Sequence, residues 1–184
     1  MIDDTARALA DFTQNYCDRW LSQCGHPPAS SELYGLASPC VQQTVGEEVR
    51  WLPQPFTLAK NLENIERALE LRLQPSVVAW YTTQFAGDMN TLVDNEPCTL
   101  LQVWSEDDFD RVQENLIGHL VMQRRLKQSP TLFIATTQSE LEVISVCNLS
   151  GEVILEKLGT KSRRVLAATL EQFLVSLPVI DPLR

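Results

Sequence analysis

The stretch from residue 99 to residue 177 limits the fold more than any other feature of this chain. Thr99–Trp104 reads as a strand, and Ser105 then offers a helix N-cap followed by Glu106, Asp107 and Asp108. A helical pattern runs on to about Lys127, with Phe109, Val112, Leu116 and Leu120 on one stripe and Arg124, Arg125 and Lys127 at the end where the helix dipole favours cations. Pro130 stops it. Thr131–Thr136, Leu141–Asn148 and Glu152–Lys157 are strand-like, and the turn residues Asn148-Leu149-Ser150-Gly151 join the last two, which predicts an antiparallel meander. Arg164–Leu177 reads as a closing helix with Val165, Leu166, Leu170, Phe173 and Leu174 facing inward. Helices and strands in this order do not make βαβ units, so the expected class is α+β, a mostly antiparallel sheet packed with N-terminal, central and C-terminal helices.

The first half supplies the other helices. Residues 5–22 are amphipathic, with Leu9, Phe12, Tyr16 and Trp20 at helical spacing, and Gly25-His26-Pro27-Pro28 ends the pattern. Ser30–Pro39 reads as a loop. Cys40–Val45 and Glu48–Leu52 alternate around Gly46-Glu47 as a β-hairpin that Pro53 and Pro55 terminate. Asn61–Leu71 is helical up to Pro75, which is acceptable as the first residue of a new helix. Ser76–Tyr81 fits a short helix or a strand, and Gln84–Asn90, with Gly87, reads as a loop. No linker, repeat or low-complexity tract divides the chain, so residues 1–184 are expected to form one domain.

Charge is distributed unevenly. Residues 85–114 carry eight carboxylates (Asp88, Asp94, Glu96, Glu106, Asp107, Asp108, Asp110 and Glu114) against the single cation Arg111, a balance of −7 within a chain of net −9. A segment of that kind suits a basic partner. A pI near 4.7 argues against nucleic acid and against adsorption on anionic lipid heads, since both require Lys/Arg surfaces. No apolar run approaches the roughly 20 residues needed to cross a bilayer, and Met1-Ile2-Asp3-Asp4 does not resemble an export signal. Five cysteines without C-x-x-C spacing and only two histidines point to neither a disulfide framework nor a metal site. No cofactor-binding motif is present.

Capping accounts for part of the Ser105-Glu106-Asp107-Asp108 cluster, and Asp107 and Arg111 are spaced to pair on the helix surface. It does not account for Asp88, Asp94, Glu96, Asp110 and Glu114. Gly87 beside Asp88 permits a close backbone approach or a positive φ, although a turn aspartate bonding its own backbone has the same local sequence. His119 lies beside the apolar stripe and reads as a boundary histidine. An Asp88–His119 proton-transfer pair is the enzymatic alternative. Trp104 is expected to be the last core residue of its strand, the alternative being the wall of a groove. Asn148-Leu149-Ser150 matches a glycosylation sequon but is read only as a turn.

Several segments together resemble the Syd family of bacterial SecY-interacting proteins. They are Glu32-Leu33-Tyr34-Gly35 with Ser38-Pro39-Cys40; Tyr81-Thr82-Thr83-Gln84-Phe85-Ala86-Gly87-Asp88-Met89; Leu100 to Thr136, with Trp104-Ser105-Glu106-Asp107-Asp108-Phe109 and Asn115-Leu116-Ile117-Gly118-His119-Leu120; and Glu142 to Val153. The resemblance implies a SUKH-like α+β domain with a concave acidic face, and it favours a helix at 76–81. It also implies binding to basic cytoplasmic loops of SecY, the translocase channel subunit, in surveillance of translocon assembly. No reaction and no cofactor are implied. Location would be the cytoplasm and the cytoplasmic face of the inner membrane, reached through SecY without insertion into lipid, with the chain as a monomer. Carried onto this sequence, the partner-binding acids are Asp88, Glu106, Asp107, Asp108 and Glu114, with Glu47 and Glu48 as additions from the hairpin turn. The alternative within the superfamily is an immunity protein that neutralises a basic toxin.

Overall fold

The computed structural model describes residues 4–182. The absence of an export signal at residues 1–3 therefore concerns a segment outside the described residues. The chain opens with α1 (Thr5–Cys24), which Gly25 ends in the left-handed conformation with φ +77°. The strands β1 (Ala29–Ser30), β2 (Val41–Val45) and β3 (Glu48–Trp51) follow and form a small antiparallel sheet in the order β1-β3-β2. β4 (Gln54–Pro55), α2 (Glu63–Leu69), α3 (Pro75–Thr82) and β5 (Gln84–Phe85) come next, and β4 pairs with β5. Pro75 is the first residue of α3, where its missing N–H is of no consequence.

The main sheet contains β6 (Met89–Val93), β7 (Glu96–Leu100), β8 (Thr131–Thr137), β9 (Glu142–Cys147), β10 (Val153–Lys157) and β11 (Arg163–Ala167), every strand antiparallel to its neighbours in chain order. The helix α4 (Glu106–Arg125) interrupts the run between β7 and β8, and α5 (Leu170–Ser176) closes the chain. The architecture is α+β, as the order of elements predicts. The sheet curls strongly. Glu156 and Thr131 lie on strands separated by β9 and are far apart in register, yet Thr131 Oγ1 donates to Glu156 Oε2 at 2.6 Å. One core runs from Leu9 and Phe12 on α1 through Trp51, Trp80 and Phe109 to Phe173 on α5, all at most 4% exposed.

Three local expectations change. Residues 163–167 are a strand rather than the start of a helix, because they pair with β10 in a register that places Arg163 opposite Glu156. The last helix begins only after Thr169, whose side chain caps it by accepting from Gln172 N. Residues 89–93, read in part as loop, form a hairpin with 96–100 across Asp94-Asn95, both at positive φ. The strand expected at Thr99–Trp104 lies earlier, at Glu96–Leu100.

Asn148 does more than make a turn. Its Oδ1 accepts from Gln74 N at 2.9 Å, its Nδ2 donates to Arg72 O at 2.8 Å, and its own carbonyl accepts from Gln74 Nε2 at 2.8 Å. The β9–β10 turn thereby clamps the α2–α3 hinge. Asn148→Ala removes two of these bonds and strands a backbone N–H, and is expected to cost about 1–3 kcal/mol in chemical denaturation without a change in m.

Candidate functional site

The start of α4 organises the site. Ser105 Oγ accepts from Asp108 N at 3.2 Å, and Asp108 Oδ2 accepts from Trp104 N at 2.8 Å, so two helix-end donors are satisfied reciprocally. Trp104 is buried, and its indole donates to Leu36 O at 3.0 Å. Ser38 Oγ donates to Trp104 O at 2.6 Å and accepts from Cys40 N. These bonds pin the segment 31–39 against the helix start and bring Glu32 towards the acids of the central segment.

Between that segment and the core lies a hollow of about 1110 Å³, lined by four carboxylates (Glu32, Asp88, Asp107 and Asp108) and one cation, Arg111. It exceeds the roughly 300–1,000 Å³ of sites for small molecules and suits a polypeptide segment better. Trp51, Trp104 and Tyr16 supply apolar surface at its base. The Trp51 ring packs against Tyr16 and meets Trp104 edge-on, with centroids 6.4 Å apart in each pair. This acid-lined hollow forms a trough, and a second hollow of about 730 Å³ adjoins it, sharing Tyr16, Trp20, Asn90 and Thr99.

Asp88 occupies the floor. Its Oδ1 accepts from Gln102 N at 2.8 Å, and Gln102 is held in turn by Gln84, which also donates to Thr13. Gly87 lies directly over the Trp51 indole: a Cβ built there would stand 2.6 Å from Cε2 and Nε1. Close approach, not positive φ, is what this glycine serves. The residue surface of Asp88 is exposed to the trough, while the surrounding walls displace water from its carboxyl. Burial, with the negative Asp108 and Glu32 adding to it, pushes the carboxyl up to about 6 against the opposing pull of the Gln102 N–H and Arg111.

The folded state holds the Asp88 proton more tightly than the unfolded chain, so this group weakens the fold as pH rises from about 4 through 6, and the full penalty remains above that. Asp88→Asn keeps an oxygen for Gln102 N. It is expected to raise the Tm at pH 7.5, with the gain vanishing near pH 4; thermal melts across that range check it.

Not every predicted acid reaches the trough. Asp88, Asp107 and Asp108 line it. Glu106 turns instead to Lys60, 3.0 Å away, beside Asp110 at 3.4 Å. Glu114 is exposed further along α4, Glu47 sits in the hairpin turn, and Glu48 pairs with Arg50 at 3.2 Å. Arg111 pairs with Asp108 at 2.7 Å rather than with Asp107. The charge pattern does not single out Glu32, which stands far from the acidic segment in sequence, although it opens one of the family-like stretches. Asp88 and His119 have separate partners: His119 Nε2 bonds Thr131 Oγ1 at 3.0 Å, and His119 does not line the trough. Among the described residues no His/Cys/Asp/Glu group is arranged to hold a metal, and no helix is long and apolar enough to cross a membrane.

Fold and trough together define an α+β domain with a hollow lined by carboxylates. The family profile described as Syd protein (SUKH-2) matches residues 6–178. Over 177 residues the chain is 68% identical to Protein Syd of Erwinia tasmaniensis, covering 96% of this chain and 95% of the relative. It is 60% identical over 173 residues to Protein Syd of Salmonella paratyphi B, covering 94% and 96%. The chain belongs to the Syd family.

Proposed function

We propose that this protein binds Lys/Arg-rich cytoplasmic loops of SecY, the channel subunit of the translocase, in its acidic trough and so takes part in surveillance of translocon assembly. The observation that carries this reading is the convergence of Glu32, Asp88, Asp107 and Asp108 on one hollow of polypeptide size. Among the described residues, only Asp108 of these four is ion-paired, to Arg111. In this reading Asp88, Asp107 and Glu32 meet the partner's cations, while Glu106, Glu114, Glu47 and Glu48 add longer-range attraction. The indole and phenol surfaces at the base select shape, because charge alone is promiscuous. The protein acts as a monomer at the cytoplasmic face of the inner membrane, recruited by its partner and without a reaction or cofactor of its own.

Attraction of this kind weakens with salt, because the screening length is about 8 Å at physiological ionic strength. A titration of the protein with a peptide copying a basic SecY loop should therefore show affinity falling steeply between low and high salt. Glu32→Gln with Asp107→Asn removes two exposed charges and is expected to weaken binding by about tenfold or more while leaving the Tm within a few degrees. Salt-independent binding, or full affinity in the double variant, refutes the electrostatic assignment. Tighter binding to a basic toxin than to any SecY loop favours the immunity-type role instead.

A further inference from the structure

The acidity of the chain hides an opposite pole. Residues 122–129 and 157–164 contain seven of the 15 lysines and arginines and no carboxylate. They are far apart in sequence, but the fold joins them. Gln128 Nε2 donates to Thr160 O at 2.7 Å, and Arg163 donates to Ser129 O at 2.7 Å. The end of α4 therefore sits on the β10–β11 turn, about 30 Å along the helix from the trough acids at its start.

Four of these cations, Arg125, Lys127, Lys157 and Lys161, are exposed and take part in no ion pair among the described residues. Carboxylates border the patch at its edges, Glu70 beside the Leu69 carbonyl that Arg124 binds and Glu140 beside the Leu141 carbonyl that Leu158 binds. Glu142 stands opposite Lys157 across the β9–β10 ladder without an ion pair, Asp94 holds Arg164 at 2.9 Å, and Glu156 is buried beneath Arg163. Apolar side chains stand among the cations: Met122 is 54% exposed, Leu126 42% and Leu158 37%. Met122 lies in the last turn of α4, and Leu126 caps the helix directly after Arg125.

The geometry points to this pole as a docking surface for anionic phospholipid headgroups, with Met122, Leu126 and Leu158 entering the interfacial layer. Basic clusters close to exposed aliphatic side chains are the signature of membrane-surface binding, whereas a nucleic-acid face would pair its cations with polar or stacking groups. The low pI argues against lipid adsorption by the surface as a whole, but the trough acids do not act on this pole, because about 30 Å separates them from it and the screening length is roughly 8 Å. Docking by this end would hold the opposite end of α4, with the trough, away from the lipid and free for a protein partner.

Vesicle flotation of the full chain tests the inference. Vesicles with about one third phosphatidylglycerol in phosphatidylcholine are expected to bind at least about tenfold more tightly than phosphatidylcholine alone, and added salt should reduce the difference. Replacing Arg125, Lys127, Lys157 and Lys161 together by Gln is expected to remove that preference, with a loss of at least about tenfold, while the Tm and the binding of basic peptide in the trough are unchanged. Leu126→Ser with Leu158→Ser should reduce the salt-resistant remainder. Equal binding to both vesicle types, full retention in the four-Gln variant, or tighter binding to single-stranded RNA than to phosphatidylglycerol vesicles overturns it. The trough assay stands apart from the flotation assay, so either idea can fail without the other.

Discussion

Glu156→Ala is expected to lower the unfolding free energy by about 3 kcal/mol, or roughly 6–12 °C in Tm for a chain of this size. The carboxylate side chain is 4% exposed and lies between the sheet and the end of α4. It accepts from Thr131 Oγ1 at 2.6 Å and from Gln123 Nε2 at 3.4 Å, with Arg163 at 4.0 Å. Thr131 Oγ1 also accepts from Gln123 Nε2 at 2.7 Å. Its one proton is committed to Glu156, so His119 Nε2 must donate to it. Truncation to alanine takes away the acceptor of the Thr131 hydroxyl proton and leaves Arg163 without its buried counter-charge, which is the costly way to break such a group. Glu156→Gln keeps an acceptor for Thr131 and opposes the Gln123 amide at one position only, so its loss should be smaller, about 1 kcal/mol. A Gln variant as damaged as the Ala variant would show that charge, not hydrogen bonding, dominates there. Burial holds His119 below its ordinary range against the pull of Glu156, with Arg163 lowering it further. Its protonation therefore costs stability as pH falls below about 6.5, opposite in sign to Asp88.

Gly87→Ala carries the second large effect. The new methyl would meet Trp51 Cε2 and Nε1 at 2.6 Å and Cζ2 at 3.0 Å. The ring cannot yield freely, since Trp51 is 2% exposed and fixed between Tyr16 and Trp104. Overpacking of this kind costs about 1–3 kcal/mol. Asp88 follows Gly87 on the trough floor, so partner affinity should fall with stability. In a Trp51→Leu background, which lacks the clashing ring, the loss caused by Gly87→Ala should shrink. A Gly87→Ala protein with unchanged Tm and unchanged binding would mean that the ring shifts at no cost.

The parts of the fold legible in the sequence are those whose signals are local. Ser105 and the acids behind it announce the start of α4, Gly46 marks the β2–β3 turn, and Val143, Ile144 and Val146 mark a strand that meets β8 and β10. Residues 163–167 misled because Val165 and Leu166 continue an apolar spacing that also fits the helix after Thr169. Their strand state depends on pairing with β10, a partner that local pattern does not reveal. The Asp94-Asn95 turn was hidden by its own acidity, which reads as binding charge before it reads as turn chemistry. In the candidate site, Asp88, Asp107 and Asp108 stand in the acidic segment and in the family-like stretches, whereas Glu32 is brought to the trough by long-range links, the pairing of β1 with β3 and the bonds of Trp104 to Leu36 and Ser38. The same limit explains why Glu106 and Asp107, adjacent in sequence, face Lys60 and the trough respectively. Successive helix residues point about 100° apart.

The packing of α5 against α1 has a consequence for synthesis. Leu170, Phe173 and Leu174 are each at most 2% exposed and belong to the same core as Leu9 and Phe12. Synthesis makes α1 well before α5, so the part of its apolar side that α5 covers stays bare until residues 170–174 have been added. A nascent chain that stalls short of residue 170 should keep that side open to chaperones, and deletion from residue 170 onward should yield aggregation rather than a shortened native domain.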